Sequence, residues 1–177
     1  MNKFYTGVGS RDTPQNILKL MTIVACELEK YDYVLRSGGA AGADSAFEAG
    51  VKDNAMKEIY IPWKGFNDSR SKFYNTSEEA FGIAERLHPA WDKCSSGAKK
   101  LHARNIHQVM GKDLVPKNFS EFLICYTEGG KIKGGTATSI KLAMELDIPV
   151  YNLGVTKDYE EVLERLDIDK DYNNKLV

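Results

Sequence analysis

Short apolar runs alternate along the chain with longer segments of helical period. The runs are rich in β-branched and aromatic residues, which favours strands. They fall at residues 4–8, 33–35, 58–62, 119–126 and 148–153. Between them, apolar residues recur every three or four positions, as at Ile17, Met21, Val24 and Leu28, and this period predicts amphipathic helices. The predicted helices cover residues 14–30, 43–51, 77–87, 95–110, 136–146 and 156–166.

Local signals mark where several of these helices begin and end. We expect Thr13 to be the N-cap of the first helix, with Pro14 at its first helical position. Ser77 is expected to cap the third helix, and Gly111 to end the fourth. Residues 63–76 are polar and aromatic without a steady period, so they predict a surface loop. The tail, from 167 to 177, is expected to fray.

The alternation of strands and helices predicts the fold class. Successive β-α-β units imply parallel strands with helices on both faces of the sheet. We therefore predict one α/β domain over residues 1–177, with a doubly wound, mainly parallel sheet of five or slightly more strands. Such sheets bind ligands outside the carboxyl ends of the strands, where the strand order reverses. If the first and fourth strands are neighbours, the loops after them meet at that point.

Composition and charge narrow the function classes. Hydrophobic residues at 42% and charged residues at 28% are ordinary globular values. No apolar run approaches the roughly 20 residues of a spanning helix, and the first residues lead directly into a strand rather than a signal peptide. We expect a cytoplasmic protein without a membrane partner. Three cysteines without CxxC spacing indicate reduced thiols, and neither a metal site nor a cofactor is predicted.

The net charge of −1 does not indicate nucleic-acid binding by the whole surface. Basic residues are concentrated between 93 and 112, whereas 158–171 is rich in acidic residues. This distribution suggests a local anion site, although a run of lysines is more often a solvated helix face.

Three glycine-rich turns each follow a predicted strand. They are Gly9, Ser10 and Arg11; Ser37, Gly38 and Gly39; and Gly134, Gly135 and Thr136. Because glycine lacks a Cβ, a phosphate can approach main-chain N–H groups at the positive end of the following helix. A single turn of this kind is equally well explained by tight turning and close packing. Its threefold occurrence favours a binding site.

These turns, in this order, resemble the Rossmann domain of the DNA-processing protein A (DprA) family and, more broadly, the SLOG superfamily. The resemblance also includes Asp44 after the second turn and the pair Arg104–Asn105 in the helix before the fourth strand. It spans roughly residues 4–153 and is greatest to the small stand-alone members that phages encode.

The resemblance implies roles for individual residues. Arg11 and the Arg104–Asn105 pair become candidates for binding phosphate, and a guanidinium at Arg104 could grip it in bidentate fashion. Asp44 is interpreted as a helix cap or as a partner of a ring hydroxyl. Trp63 or Phe66 in the aromatic loop could stack on a base.

Three functions follow from these residues. The main hypothesis is that the cleft binds a nucleotide or nucleotide-derived ligand. In a phage setting, the protein would sequester a signalling nucleotide in the cytoplasm of the host. The alternative partner is single-stranded DNA, tracked by Arg11, Lys99, Lys100 and Arg104, with Trp91 or Tyr74 stacking on bases. A third, N-glycosidase activity of the Lonely-Guy type, is disfavoured because Ser139 stands where those enzymes have a catalytic glutamate.

We therefore lean away from an enzyme and name no catalytic residue. We also expect a homodimer or higher homo-oligomer, for which the apolar faces of the helices at 95–110 and 136–146 are candidates. Periodicity alone cannot distinguish a dimer face from core.

Overall fold

A five-stranded parallel sheet forms the centre of the structure, a computed structural model that describes residues 3–174. The strands are β1 (Lys3–Gly9), β2 (Tyr33–Ser37), β3 (Lys57–Ile59), β4 (Phe122–Tyr126) and β5 (Val150–Asn152). Their order is β3-β2-β1-β4-β5, so β1 and β4 are neighbours and the strand order reverses between them. This topology confirms the predicted doubly wound, Rossmann-like α/β fold.

Helices cover both faces of the sheet. They are α1 (Gln15–Lys30), α2 (Ala43–Gly50), α3 (Glu78–Leu87), α4 (Ser96–Met110), α5 (Thr136–Glu145) and α6 (Thr156–Arg165). One hydrophobic cluster joins α1, α2 and α6 to one face, with Val24 and Leu28 buried in it. A second joins α3, α4 and α5 to the other face, with Ile106 and Val109 buried. Each helix thus buries the apolar stripe that its period predicted.

The predicted helix caps were right at Ser77 and wrong at Thr13. The Ser77 hydroxyl accepts a hydrogen bond from the Ala80 N–H at 3.2 Å, as expected of an N-cap. The Thr13 hydroxyl instead donates to the Ser10 main-chain oxygen at 2.7 Å, and Pro14 is the residue that precedes α1. Thr13 therefore holds the turn after β1 rather than the helix.

The aromatic loop at residues 63–76 returns to the sheet edge. Tyr60 forms an isolated parallel bridge with Phe73, beyond the end of β3. A short 3₁₀ turn, Phe66–Asp68, places the Phe66 ring in the core, where it is only 7% exposed. The loop is thus anchored by a main-chain bridge at Phe73 and by the buried ring of Phe66.

Within the tail, Tyr172 is anchored. Its ring is only 3% exposed, and its hydroxyl donates to the Asn16 main-chain oxygen at 3.2 Å. The Tyr159 hydroxyl donates to it in turn at 3.1 Å. The expectation of a frayed tail is therefore wrong at this residue, because its ring is buried against α1 and α6; residues 175–177 of the same prediction lie outside the described residues.

The candidate dimer faces of α4 and α5 are core. Ala103 and Ile106 of α4, and Ile140 and Ala143 of α5, are buried against each other and the sheet. These apolar faces are therefore not available as a dimer interface. The assignment of the chain to a single domain stays a prediction. In the part of the chain that the structure describes, none of the helices combines the length and apolarity needed to cross a membrane.

Candidate functional site

A cleft of about 750 Å³ opens at the carboxyl ends of β1 and β4, where the strand order reverses. Its walls come from the turn after β1, the start of α2, one face of α4 and the turn before α5. Nine of the predicted site residues line it: Gly9, Ser10, Arg11, Asp44, Arg104, Asn105, Gly134, Gly135 and Thr136. The first and third glycine-rich turns and the pair Arg104–Asn105 are thus brought together as predicted.

The turn after β1 is held by main-chain bonds. The Ser10 N–H donates to the Tyr126 oxygen at 3.1 Å, and the Ser10 oxygen accepts from the Ala43 N–H at 3.3 Å. Gly42 has a φ of +84°, and a Cβ there would lie 2.5 Å from the Arg11 oxygen. Only glycine allows this approach. The Arg11 backbone is therefore fixed against the start of α2, while its side chain is exposed at the cleft.

The Asp44 carboxylate binds main-chain N–H groups beside the second glycine-rich turn. It is buried and accepts hydrogen bonds from the main-chain N–H groups of Ala40, at 3.3 Å, and Gly9. Burial raises the pKa of Asp44 to about 6, and the charge of Arg104 together with these N–H groups opposes the rise. The protein's own carboxylate therefore takes the place that a phosphate was predicted to take.

Arg104 is a wall of the cleft rather than a free cation. Its side chain is 5% exposed, and Nη1 donates to the main-chain oxygens of Gly38 and, at 2.8 Å, of Tyr60. Burial lowers the pKa of Arg104, the Asp44 carboxylate opposes this, and the charge of Arg11 adds to it. The Nε atom is buried with no hydrogen-bond partner among residues 3–174. The predicted bidentate grip is wrong for Nη1, which is already bonded.

The remaining predicted turn, Ser37 to Gly39, does not line the cleft. The Ser37 hydroxyl donates to the Gly7 oxygen at 2.7 Å and is fully buried. A Cβ on Gly38 would collide with the guanidinium of Arg104 and the amide of Gln108. These two side chains cover the turn, so its prediction as a phosphate loop is wrong.

The turn before α5 is open. Gly134, at φ +71°, and Gly135 have no other atom of the described chain within 4 Å of an added Cβ. Among residues 3–174, no side chain caps α5, and its first turn contains no acidic residue. Asn105 donates through Nδ2 to the Gly135 main-chain oxygen at 2.9 Å. The first turn of α5 therefore has no acidic side chain of its own, whereas the first turn of α2 contains Asp44.

The sequence prediction missed several lining residues, among them Gln108 and His102. Gln108 accepts a hydrogen bond from the Ser139 hydroxyl at 3.2 Å. His102 lies 2.8 Å, through Nδ1, from the Thr138 hydroxyl. Burial lowers the pKa of His102 to about 4, with smaller effects of His88 and Arg104 in the same direction. The signal was available for Gln108, which lies three residues after Asn105 on the same helical face.

Ser139 lies in the cleft wall and is almost fully buried. This is the position at which the resemblance to phosphoribohydrolases would require a glutamate. It holds a hydroxyl that is already bonded to Gln108.

The two predicted stacking residues lie outside the cleft lining. Phe66 is buried between the Trp63 ring, whose centroid is 5.2 Å away, and the Arg104 guanidinium, 5.8 Å from its ring centroid. The stacking prediction is therefore wrong for Phe66, because both neighbours occupy its surface. Trp63 is 40% exposed and lies beside Gly97 at the start of α4, so its role stays a prediction.

Comparison with known proteins gives one informative likeness. No protein-family model matches the chain, and no curated protein matches it. Among solved structures it is similar to DNA processing protein A from Helicobacter pylori, described for its single-stranded DNA binding mode. The identity is 17%, the TM-score is 0.52, and the alignment covers 98% of this chain and 77% of that one. At this identity the likeness concerns the fold alone: the chain has a DprA-like Rossmann fold.

Proposed function

We propose that the cleft binds single-stranded DNA by one or more of its backbone phosphates. The observation that carries this proposal is the open N-terminus of α5, which follows Gly134 and Gly135 and lines the same cleft as the exposed Arg11. Main-chain N–H groups at a helix N-terminus and a guanidinium are both donors suited to phosphate. The similarity to a single-stranded DNA-binding protein of the same fold is in line with this assignment.

Cationic donors line the cleft beside three acidic residues, Asp12, Asp44 and Glu128. Arg11 and Lys133 line the cleft with exposed side chains, and the unpaired Nε of Arg104 adds a buried donor. Lys133 lies 3.6 Å from Glu128, and both side chains are largely exposed, so this ion pair is weak and a phosphate could displace it. These donors belong to the same cleft, and we assign them to the bound phosphate.

Residues at and just before the start of α4 offer a surface for the rest of a strand. Lys99 lies on α4 with its ammonium 5.4 Å from the centroid of the Trp91 ring, and Lys100 is exposed beside it. Basic side chains combined with an aromatic ring form the arrangement that single-strand binders use, since any base can stack on the ring. We therefore assign Lys99, Lys100 and Trp91 to the flanking nucleotides.

Fluorescence anisotropy with a labelled oligo-dT tests the proposal. If two or three phosphates are neutralised, the logarithm of the affinity should fall with the logarithm of salt concentration with a slope of about −1.5 to −2. Arg11→Ala should weaken binding and lower this slope by about 0.7. The matched control is Arg86→Ala, since Arg86 is bonded to Glu145 at the opposite end of α5. A flat salt response would contradict the proposal.

A second candidate guest is a nucleotide or nucleotide-derived small molecule. The observation that favours it is the size of the cleft, about 750 Å³, which falls within the range of about 300–1,000 Å³ of small-molecule sites. Isothermal titration with mononucleotides, cyclic ADP-ribose derivatives and cyclic dinucleotides would separate the two candidates. Heat from one compound, with no competition by oligo-dT, would favour the small ligand, and silence across the panel would end this idea.

The biological setting is a further proposal that rests on the sequence resemblance. In this proposal, the chain is a small phage-encoded member of the SLOG superfamily. It acts in the host cytoplasm as a homodimer or higher homo-oligomer, with counter-defence as its role. We do not propose N-glycosidase activity, because the glutamate position holds Ser139.

A further inference from the structure

Three side chains that commonly bind metal ions meet at the connection between α3 and α4. His88 directly follows α3, Cys94 directly precedes the Ser95 cap of α4, and His102 lies two turns into α4. Their ligand atoms all lie within 4.8 Å of one another. The Cys94 sulfur is 3.8 Å from each His88 ring nitrogen, and the two imidazole centroids are 4.4 Å apart.

These separations are close to those of a bound ion. With Zn–N near 2.0–2.1 Å and Zn–S near 2.3 Å, the ligand atoms of a tetrahedral site lie about 3.3–3.7 Å apart. The cluster therefore needs to contract by at most about 1.5 Å, which side-chain rotations can supply.

Composition makes the meeting unusual. The chain has only three histidines and three cysteines, and two of the histidines and one of the cysteines meet in this cluster. The other two cysteines, Cys26 and Cys125, take no part in the cluster. All three clustered side chains are partly buried, so an ion could enter from solvent and still be enclosed.

Thr138 orients one of the ligands. Its hydroxyl lies 2.8 Å from Nδ1 of His102, which leaves Nε2 of the same ring as the ligand atom. Metal-binding histidines almost always have such a hydrogen bond on their other nitrogen, since it fixes the ring and the tautomer.

The existing contacts of the cluster are weak enough to be exchanged. The Cys94 thiol donates to the Ala90 oxygen at 3.6 Å, and Nδ1 of His88 accepts from the Ala90 N–H at 3.2 Å. Ala90 is partly exposed, so water can replace both partners. Coordination converts the thiol to a thiolate and releases its proton to solvent.

We propose that His88, Cys94 and His102 bind a late first-row divalent ion of the Zn²⁺ class. Two imidazoles and a thiolate suit such an ion, whereas Mg²⁺ and Ca²⁺ require oxygen ligands. Three protein ligands leave a fourth position for water or another ligand atom. Because His102 also lines the cleft, the ion lies at its wall. This inference does not depend on what the cleft binds.

Co²⁺ titration of chelator-treated, tag-free protein tests the site. We expect one equivalent to produce thiolate-to-cobalt charge transfer and the intense visible bands of a tetrahedral site, and Zn²⁺ to bleach both. Cys94→Ser should lose the charge-transfer band and at least 10-fold in Zn²⁺ affinity, measured by competition with a chromophoric chelator. Thr138→Val should keep the band and lose about 10-fold in affinity.

Cys26→Ser is the matched control, since Cys26 lies on α1, away from the cluster, and is partly buried like Cys94. It should bind like the wild type. Circular dichroism in chelator checks that each variant is folded, and His88→Gln provides a second ligand variant should Cys94→Ser unfold. Equal Zn²⁺ affinity in the wild type and in a folded ligand variant, or no cobalt spectrum from the wild type, would overturn the proposal.

Discussion

Asn105 donates through Nδ2 to the main-chain oxygen of Gly135 at 2.9 Å, and this bond joins α4 to the turn before α5. The two residues are 30 positions apart and belong to two different motifs of the sequence. The bond explains why the open turn keeps its shape although Gly134 and Gly135 have no other atoms of the described chain around an added Cβ. In our proposal, Asn105 is thus a positioning residue for the N–H groups of α5.

Asn105→Ala should loosen the turn and weaken DNA binding. Loss of one partly buried hydrogen bond costs about 1 kcal/mol, which corresponds to roughly a fivefold change in an equilibrium constant. We expect oligo-dT affinity to fall by about that factor, measured by anisotropy. Asn54→Ala, in an exposed turn before β3, serves as the control and should bind like the wild type. Wild-type affinity in Asn105→Ala would contradict the positioning role.

Gly38→Ala should destabilise the protein. The added methyl group would enter the space of the Arg104 guanidinium and the Gln108 amide, and overpacking of this kind costs about 1–3 kcal/mol. Urea unfolding measures the loss. Gly82→Ala is a matched control, because Gly82 is exposed within α3 and has open space around it in the described structure. That change should stabilise the protein by about 0.5–1 kcal/mol. Equal stability of the two variants would show that Arg104 does not cover the turn.

Asp44→Asn should change how stability depends on pH. The folded state raises the carboxyl pKa of Asp44 from 3.8 to about 6, so it holds the proton more tightly than the unfolded chain does. The contribution of Asp44 to stability is therefore fully present below about pH 4 and is lost as the pH rises through 6. The difference between the folded and unfolded pKa values corresponds to a free energy of unfolding on the order of 3 kcal/mol.

Urea unfolding at steps between pH 4 and 7 checks this prediction. The free energy of unfolding of the wild type should fall over this range relative to that of Asp44→Asn. Parallel profiles for the two proteins would mean that Asp44 is not buried as a destabilised carboxylate.

Gly42→Ala should disturb the turn that carries Arg11. A Cβ there would lie 2.5 Å from the Arg11 oxygen, and the φ of +84° strains any other residue. We expect a loss of stability of about 1–3 kcal/mol and weaker oligo-dT binding. Gly65→Ala is the control: its φ of +78° gives a similar backbone strain, but no other described atom lies within 4 Å of the added methyl group. Similar losses in both variants would mean that strain alone, and not the contact with Arg11, matters.

The sequence predicted the elements and their order because both depend on local patterns. The period of α1 and the apolar runs of β1 and β4 are visible in single segments, and the crossover rules then order the strands. The prediction was less successful where tertiary contacts decide. The Thr13 hydroxyl donates to the Ser10 main-chain oxygen. The local sequence signals of a helix start do not distinguish this bond from the hydrogen bond of an N-cap.

The candidate site shows the same limit. A glycine-rich turn indicates that an anion can approach, but not which anion does. In the second glycine-rich turn, the Asp44 carboxylate binds the main-chain N–H of Ala40, and the side chains of Arg104 and Gln108 cover Gly38. These contacts join residues up to 70 positions apart in the sequence, from 38 to 108. The meeting of His88, Cys94 and His102 likewise depends on how the connection after α3 folds back onto α4, which no local spacing reveals.

The most direct test of the central claim is an amide ¹H–¹⁵N NMR titration with a short oligo-dT. Our account predicts that the largest shift changes fall on the amides of Gly134, Gly135 and Thr136 and around Arg11. The amides at the opposite ends of the strands, such as Tyr33 and Phe122, should remain unchanged. Saturable shifts confined to another surface, with the α5 amides unmoved, would contradict the proposed phosphate site.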